Sequence, residues 1–338
     1  MTTPTEPPVL VSVRHHTGVL ELNRPKALNS LNPEMVEIIT RSLEQWRDDD
    51  SVTQVLITST SDRAFCAGGD VRHVREEILA GEEAAVDRFF SDEYAMNHMI
   101  AGYPKPYIAV MDGIIMGGGL GVSAHGSHRV ITERAWASMP EMAIGYITDV
   151  GISYASQRWP GSSPAVGAFI GLTGYRLNEA DMMYTGLATD IIDDAEAFIG
   201  DLIGLGVDGA LGEHSTEVQE ESRLLAWRDD IEATFHHASW AEIDAALESH
   251  DNQEFVQEVR TLMANGSPSA TVATAELYAA NRRAADLRAG LDNEERLGEL
   301  IRRQPDFLEG VRAVLVDKTQ DAQFTPAHDP AEYRDVLR

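Results

Sequence analysis

Three consecutive glycines, Gly117 to Gly119, follow closely on a short apolar run. The run, Pro106 to Met111, reads as a buried strand with proline at its first residue, where no ladder N–H is needed. Asp112-Gly113 marks a turn after it. A backbone without side chains lets a ligand approach the main chain closely and permits dihedrals that other residues avoid. If a helix begins in the triplet, its first N–H groups lack intrahelical partners and face whatever lies above them. Such donors stabilise a developing oxyanion. Glu141 and Asp149 stand 8 residues apart downstream, and carboxylates behind a glycine loop suggest acid–base chemistry on a carbonyl compound. Each feature alone has a plainer reading. A glycine triplet is often a tight turn, and most Asp and Glu side chains are solvated.

A second glycine stretch changes that weighing. Ala64-Phe65-Cys66-Ala67-Gly68-Gly69-Asp70 follows the apolar run Val55 to Thr58. Two strands that each feed a glycine loop can hold one oxyanion between them. Cys66 sits inside the second loop but has no histidine partner assignable from sequence, so it reads as a small buried residue. Asp70 is either catalytic or the cap of a helix over 71–80.

F-C-A-G-G-D, M-G-G-G-L-G and M-P-E…D-V-G together resemble the crotonase (enoyl-CoA hydratase/isomerase) superfamily, and within it the branch that hydrolyses 3-hydroxyisobutyryl-CoA. The resemblance runs from Asn23 to Lys318. It implies an α/β fold, a crotonase-like spiral of ββα units with a helical C-terminal part. It implies that the thioester carbonyl accepts hydrogen bonds from the N–H groups of Gly69 and Gly118. Gly121 stands where the family's hydratases carry a glutamate, whereas Asp149 matches a P-D-V-G segment of the hydrolases with Thr148 in place of the proline. The hydrolase reading gives Glu141 the main role, as nucleophile on the thioester or as general base for water. Asp149 then assists as an acid or binds the substrate hydroxyl. E-Y-x-x-N places Glu93 in the same pocket, and Lys26, Ala67 and Asp70 complete the expected substrate-binding set. Coenzyme A is part of the substrate, and no separate cofactor is implied. Three functional readings follow: a branched 3-hydroxyacyl-CoA hydrolase of valine breakdown, a hydratase or isomerase with Asp149 replacing the missing glutamate, and a non-catalytic binding protein on the same scaffold.

Charge narrows the partners. With 27 basic and 55 acidic residues in 338, the net charge is −28, a surface that repels nucleic acid and anionic membranes. An anionic CoA thioester needs a local basic patch, for which Lys26, Arg24 and Arg72 are candidates. No apolar run approaches the ~18 residues of a membrane span. The single cysteine fits a reducing compartment, and Met1 to Pro8 has no secretory or Arg-rich character, so a cytoplasmic protein, or one whose leader is already absent, is expected.

Val9 to Arg14 and Gly18 to Leu22 read as a hairpin. His15-His16 falls in its turn without Cys or carboxylate spacing, so no metal site is expected, and His125 and His128 read as structural. Asn32-Pro33 opens a helix with Met35, Ile39, Leu43 and Trp46 on one face. Further helices are expected over 76–100, 163–173 and 177–186, and a last core strand over 188–192. One helix from Ser267 is expected to carry Leu277, Tyr278 and Leu287. A composition shift near 195 divides the chain into a core, 1–195, and a helical region, 196–338, and a homo-oligomer is possible.

Overall fold

The structure, a computed structural model, describes residues 6–338. Its strands are β1 (Val9–Arg14), β2 (Thr17–Leu22), β3 (Gln54–Ser59), β4 (Ala64–Cys66), β5 (Tyr107–Met111), β6 (Ile114–Met116), β7 (His128–Thr132), β8 (Trp136–Ser138) and β9 (Asp190–Ile192). From β3 to β8 they come in pairs only a few residues apart, and the two members of a pair join different sheets. The first sheet has the order β1-β2-β3-β5-β7-β9, antiparallel only at β1-β2. The second is the parallel trio β4-β6-β8. Each repeat therefore adds one rung to both sheets, which is the spiral of ββα units expected from the sequence. β5 is buried at all five residues, as a parallel strand covered on both faces must be.

The helices of the spiral follow from local signals. α1 (Pro33–Arg47) starts where the Asn32 side chain accepts from Met35 N at 2.9 Å, and it buries Met35, Ile39, Leu43 and Trp46. α2 (Val71–Leu79) is capped by Asp70, and α3 (Glu83–Ala101) follows. α4 (Gly118–Gly121) is a single buried turn inside the glycine segment. All elements after β9 are helices. One expectation needs correction. The helix from Ser267 ends at Asn281, and Leu287 opens a second helix, Leu287–Arg302, because Asp286 caps it by accepting from Ala289 N at 2.9 Å. A single apolar cluster runs from Val9 to Tyr333, so late helices share the core of the spiral.

The two glycine segments are packed against one another. A Cβ on Gly119 would collide with the carbonyl oxygen of Cys66 at the end of β4. We expect Gly119→Ala to lower stability by about 1–3 kcal/mol through forced backbone separation. A denaturant midpoint unchanged from wild type would contradict this contact.

Candidate active site

β4 delivers the chain to Gly68, which takes φ 110°, a conformation suited to glycine. Leu31 then pairs with the loop: its N–H donates to Gly68 O at 2.8 Å, and its carbonyl accepts from Asp70 N at 2.7 Å. This bracketing leaves the Gly69 N–H between them without an acceptor. β6 delivers the second segment, and Gly117 turns at φ 45° into α4, whose first amide, Gly118, also has no acceptor among the described residues. A Cβ on Gly118 would lie 3.4 Å from Gly69 N, so the two amides border one small space. The same Cβ would lie 2.6 Å from Glu93 Oε1 and 3.0 Å from a Leu31 methyl, so a side chain at 118 would have to displace both.

Two carboxyl groups border that space, and the charge of a third, Asp149, reaches both. Glu93 projects from α3. Glu141 opens the 3-10 turn Glu141–Ile144 after β8, with Oε1 3.0 Å from where a Gly117 Cβ would sit. Asp149 follows on the next loop. All three are buried, and Glu93 Oε1 and Glu141 Oε2 have no hydrogen-bond partner among the described residues. Burial pushes Glu93 up to about 8, with the charge of Asp149 adding to the effect. Burial raises Glu141 well above the ordinary carboxylate range, again helped by Asp149. Asp149 is raised by burial only to about 6, because Tyr94 donates to its Oδ2 at 2.7 Å and Arg302 contributes positive charge. Asp149 is thus the member of the trio best held as an anion.

The Asp149 loop is strained and tied on several sides. Val150 and Gly151 take φ 51° and 81°. His125 Nε2 donates to Val150 O at 2.7 Å, a structural role as expected, and burial keeps this imidazole neutral by lowering its affinity for a proton. Gly151 N donates to the buried Glu294 at 2.7 Å. Thr148 donates from Oγ1 to Gly171 O at 3.1 Å, which tethers the loop there.

Gly121 faces a filled space. A Cβ there would lie 2.9 Å from Asn97 Nδ2 and 3.0 Å from Val150 Cβ. A glutamate cannot enter this position without displacing Asn97. Asn97 is fully buried with neither amide atom partnered, one helical turn beyond Glu93. The E-Y-x-x-N spacing contained this signal, since i and i+4 share a helix face. Tyr146, Glu294 and Arg302 carry no such mark in the sequence.

The remaining candidates lie at the rim. Asp70 caps α2, accepts from Arg24 Nη2 at 2.9 Å, and lines a cavity of about 120 Å³ walled by Leu31, Val74 and Phe89. Arg24 is thereby committed to Asp70 and to Ser30 O, whereas exposed Lys26 and Arg72 form no ion pair among the described residues. Ala67 N donates to Leu28 O at 3.0 Å, and the Ala67 carbonyl accepts nothing among the described residues. Cys66 is buried and its thiol is pushed up to about 12 by desolvation, which removes it as a nucleophile at neutral pH.

The raised carboxyl at position 93 has a consequence for stability. The native state keeps a proton on Glu93 that the unfolded chain releases near its ordinary value of 4.5, so the native advantage falls as pH rises from there through about 8. We expect Glu93→Gln to make the loss of stability between those values shallower in denaturant titrations run across pH. An unchanged slope would contradict the buried, unpartnered carboxyl.

The family described as enoyl-CoA hydratase/isomerase matches residues 17–335. The chain is 36% identical over 321 residues to the mitochondrial 3-hydroxyisobutyryl-CoA hydrolase of Xenopus tropicalis, covering 91% of this chain and 82% of that one. It is 34% identical over 331 residues to the mitochondrial 3-hydroxyisobutyryl-CoA hydrolase of Homo sapiens, with 94% and 84% covered. Among solved structures it superposes on a carnitinyl-CoA dehydratase from Mycobacterium thermoresistibile with TM-score 0.88 and 38% identity, covering 96% of each chain. It also superposes on an enoyl-CoA hydratase from Rhodobacter sphaeroides with TM-score 0.87 and 36% identity, covering 98% of this chain and 97% of that one. With paired strands that alternate between two sheets and two glycine loops meeting over buried carboxyl groups, this chain belongs to the enoyl-CoA hydratase/isomerase family.

Proposed function

We propose that the chain hydrolyses the thioester of a short branched 3-hydroxyacyl-CoA, 3-hydroxyisobutyryl-CoA, to 3-hydroxyisobutyrate and free CoA, a step of valine breakdown. The observation that carries this reading is the buried Glu141 carboxyl beside Gly117, within reach of the Asp149 charge, while Asn97 and Val150 close the Gly121 position to a second glutamate. The relatives named as hydrolases of this thioester support it.

In this scheme the thioester oxygen takes the place between Gly69 N and Gly118 N, where each donor of such a pair contributes about 2.7–4 kcal/mol to the transition state. Asp149, the resting anion, takes the Glu141 proton. Glu141 then attacks the carbonyl carbon, and the C–S bond breaks. Asp149 returns the proton to the departing sulfur, giving CoA thiol and an acyl–Glu141 anhydride. Water adds to the Glu141 carboxyl carbon of the anhydride, the bond from that carbon to the bridging oxygen breaks, one water proton stays on the carboxyl pair, and the other leaves with the acid. Glu93 lines the acyl pocket beside Gly118. The Ala67 carbonyl is an acceptor for an amide of the CoA arm, Asp70 borders its path, and Lys26 is a surface cation for its phosphates. No cofactor enters these steps. A single buried cysteine supports a reducing compartment such as the cytoplasm, while the relatives' names place those proteins in mitochondria.

A second reading, enoyl-CoA hydration with Asp149 as the second carboxylate, is favoured by the solved structures described as a dehydratase and a hydratase.

Glu141→Gln should abolish thiol release, a fall of about 10³-fold or more, because an amide is neither a base nor a useful nucleophile. Asp149→Asn should slow turnover about 10²-fold or more. Binding of CoA should survive in both. A single turnover in ¹⁸O-water separates the routes, since water attack on Glu141 of an anhydride leaves label in the protein, whereas base-assisted attack labels only the product. Full thiol release by Glu141→Gln contradicts the assignment.

A further inference from the structure

Arg302 lies in the last turn of the Leu287–Arg302 helix, yet its side chain is only 3% exposed. Nη1 donates to Tyr146 Oη at 2.8 Å, and Nη2 donates to Asp87 on α3 at 3.0 Å. The guanidinium lies over the Phe90 ring, 4.0 Å from its centroid. Gly298, one turn earlier, makes the approach possible, since a Cβ there would strike the Tyr146 hydroxyl. Tyr146 Oη is 3.3 Å from Tyr94 Oη, and Tyr94 donates to Asp149 Oδ2 at 2.7 Å. An unbroken line of hydrogen bonds therefore joins a cation of the C-terminal helices to a carboxyl group of the candidate active site.

The line has one direction. A guanidinium has donors and no acceptor. The Tyr146 oxygen must accept from it, so the Tyr146 hydrogen is free to go to the Tyr94 oxygen. The Tyr94 hydrogen then goes to Asp149 Oδ2, which is left as an acceptor. Reversal would make the Tyr146 oxygen accept from both Arg302 and Tyr94 and leave its own hydrogen without an acceptor among the described residues. The rings cannot swing out of line, because Phe90 packs on both tyrosines and Phe307 packs on Tyr146 with centroids 5.5 Å apart. We propose that Arg302, acting through Tyr146 and Tyr94, fixes Asp149 as the proton acceptor of the site and so is a remote positioning residue for the reaction. This inference rests on the hydrolase reading for its effect on rate, but not for its effect on Asp149 itself.

The surroundings of Asp149 give the sign. Glu93 on α3 and Glu141 on the 3-10 turn face it, and both are held protonated by burial. Glu294, on the helix that carries Arg302, is pushed up to about 8, first by burial. His125 meets the loop only through the Val150 carbonyl and stays neutral. Arg302 supplies the positive charge, and Tyr94 supplies the hydrogen bond that opposes desolvation of Asp149. Cutting the line favours the protonated carboxyl, so Asp149 titrates higher.

The test is an infrared pH titration of the substrate-free full-length protein, with the Asp149 carboxyl band identified by subtracting the Asp149→Asn spectrum. Wild type should titrate near 6. Tyr146→Phe, which removes one hydroxyl and keeps the ring, and Arg302→Met should each move the titration up by about one pH unit. Arg302→Lys, which can still donate to Tyr146, should restore most of the shift. The acidic limb of kcat for thiol release should move with the band. A Tyr146→Phe protein whose Asp149 band titrates as in wild type overturns the proposal, even if activity falls. A band that shifts while kcat keeps its pH profile leaves the hydrogen-bond line standing and contradicts the hydrolase role given to Asp149.

Discussion

The structure depends on the desolvation of carboxyl groups beside amides that donate to nothing. Glu93, Glu141 and Asp149 are all buried, and among the described residues only Asp149 accepts a hydrogen bond from another side chain. Three anions cannot share such a volume, because each lacks water and repels the others. Protons therefore stay on two of them. The electrostatics give the site a resting acid and a resting base made of the same functional group, in the manner by which environment separates paired carboxyls into different roles. Gly118 is buried and Gly69 half-buried, and under the proposed reading a substrate oxygen placed between their N–H groups would meet two donors already in position.

This arrangement requires bare backbone in the middle of a packed core. Any side chain at 118 strikes Glu93, and any at 119 strikes Cys66. At 121 it strikes Asn97 and Val150. The glycines set how near α3 and the Asp149 loop come to α4, and with that they set which carboxyl groups reach the amides. The late helices complete the site from the far side. Glu294 holds Gly151, and Arg302 orders the tyrosines behind Asp149. A region that the sequence marks only by its helical periodicity thus governs the ionisation of a residue 153 positions away, the interval from 149 to 302.

Legibility in the sequence followed the range of the interactions. The strand and glycine pattern is local, so the spiral, the cap at Asn32 and both glycine loops could be read directly, while the cap at Asp70 was one of two readings the sequence left open. Asp286 was a local cap signal that apolar periodicity overrode, and the helix break before Leu287 was missed. Glu93 and Asn97 were half-visible through their spacing on one helix face. The Arg302–Tyr146–Tyr94 line was invisible, because no pattern within a window of residues relates positions 94, 146 and 302. Thr148 holds its loop by a hydrogen bond to Gly171 O, a contact between positions 23 residues apart.

Whether the buried pair Glu141 and Asp149 cleaves a thioester or hydrates a double bond is read most directly by offering 3-hydroxyisobutyryl-CoA and crotonyl-CoA side by side to the native protein. Free thiol reports on the first and loss of the enoyl chromophore on the second. A site with Gly121 closed by Asn97 should release thiol from 3-hydroxyisobutyryl-CoA and leave crotonyl-CoA essentially unchanged. Rapid hydration of crotonyl-CoA with no thiol release would contradict the account and make Asp149 the second carboxylate of a hydratase.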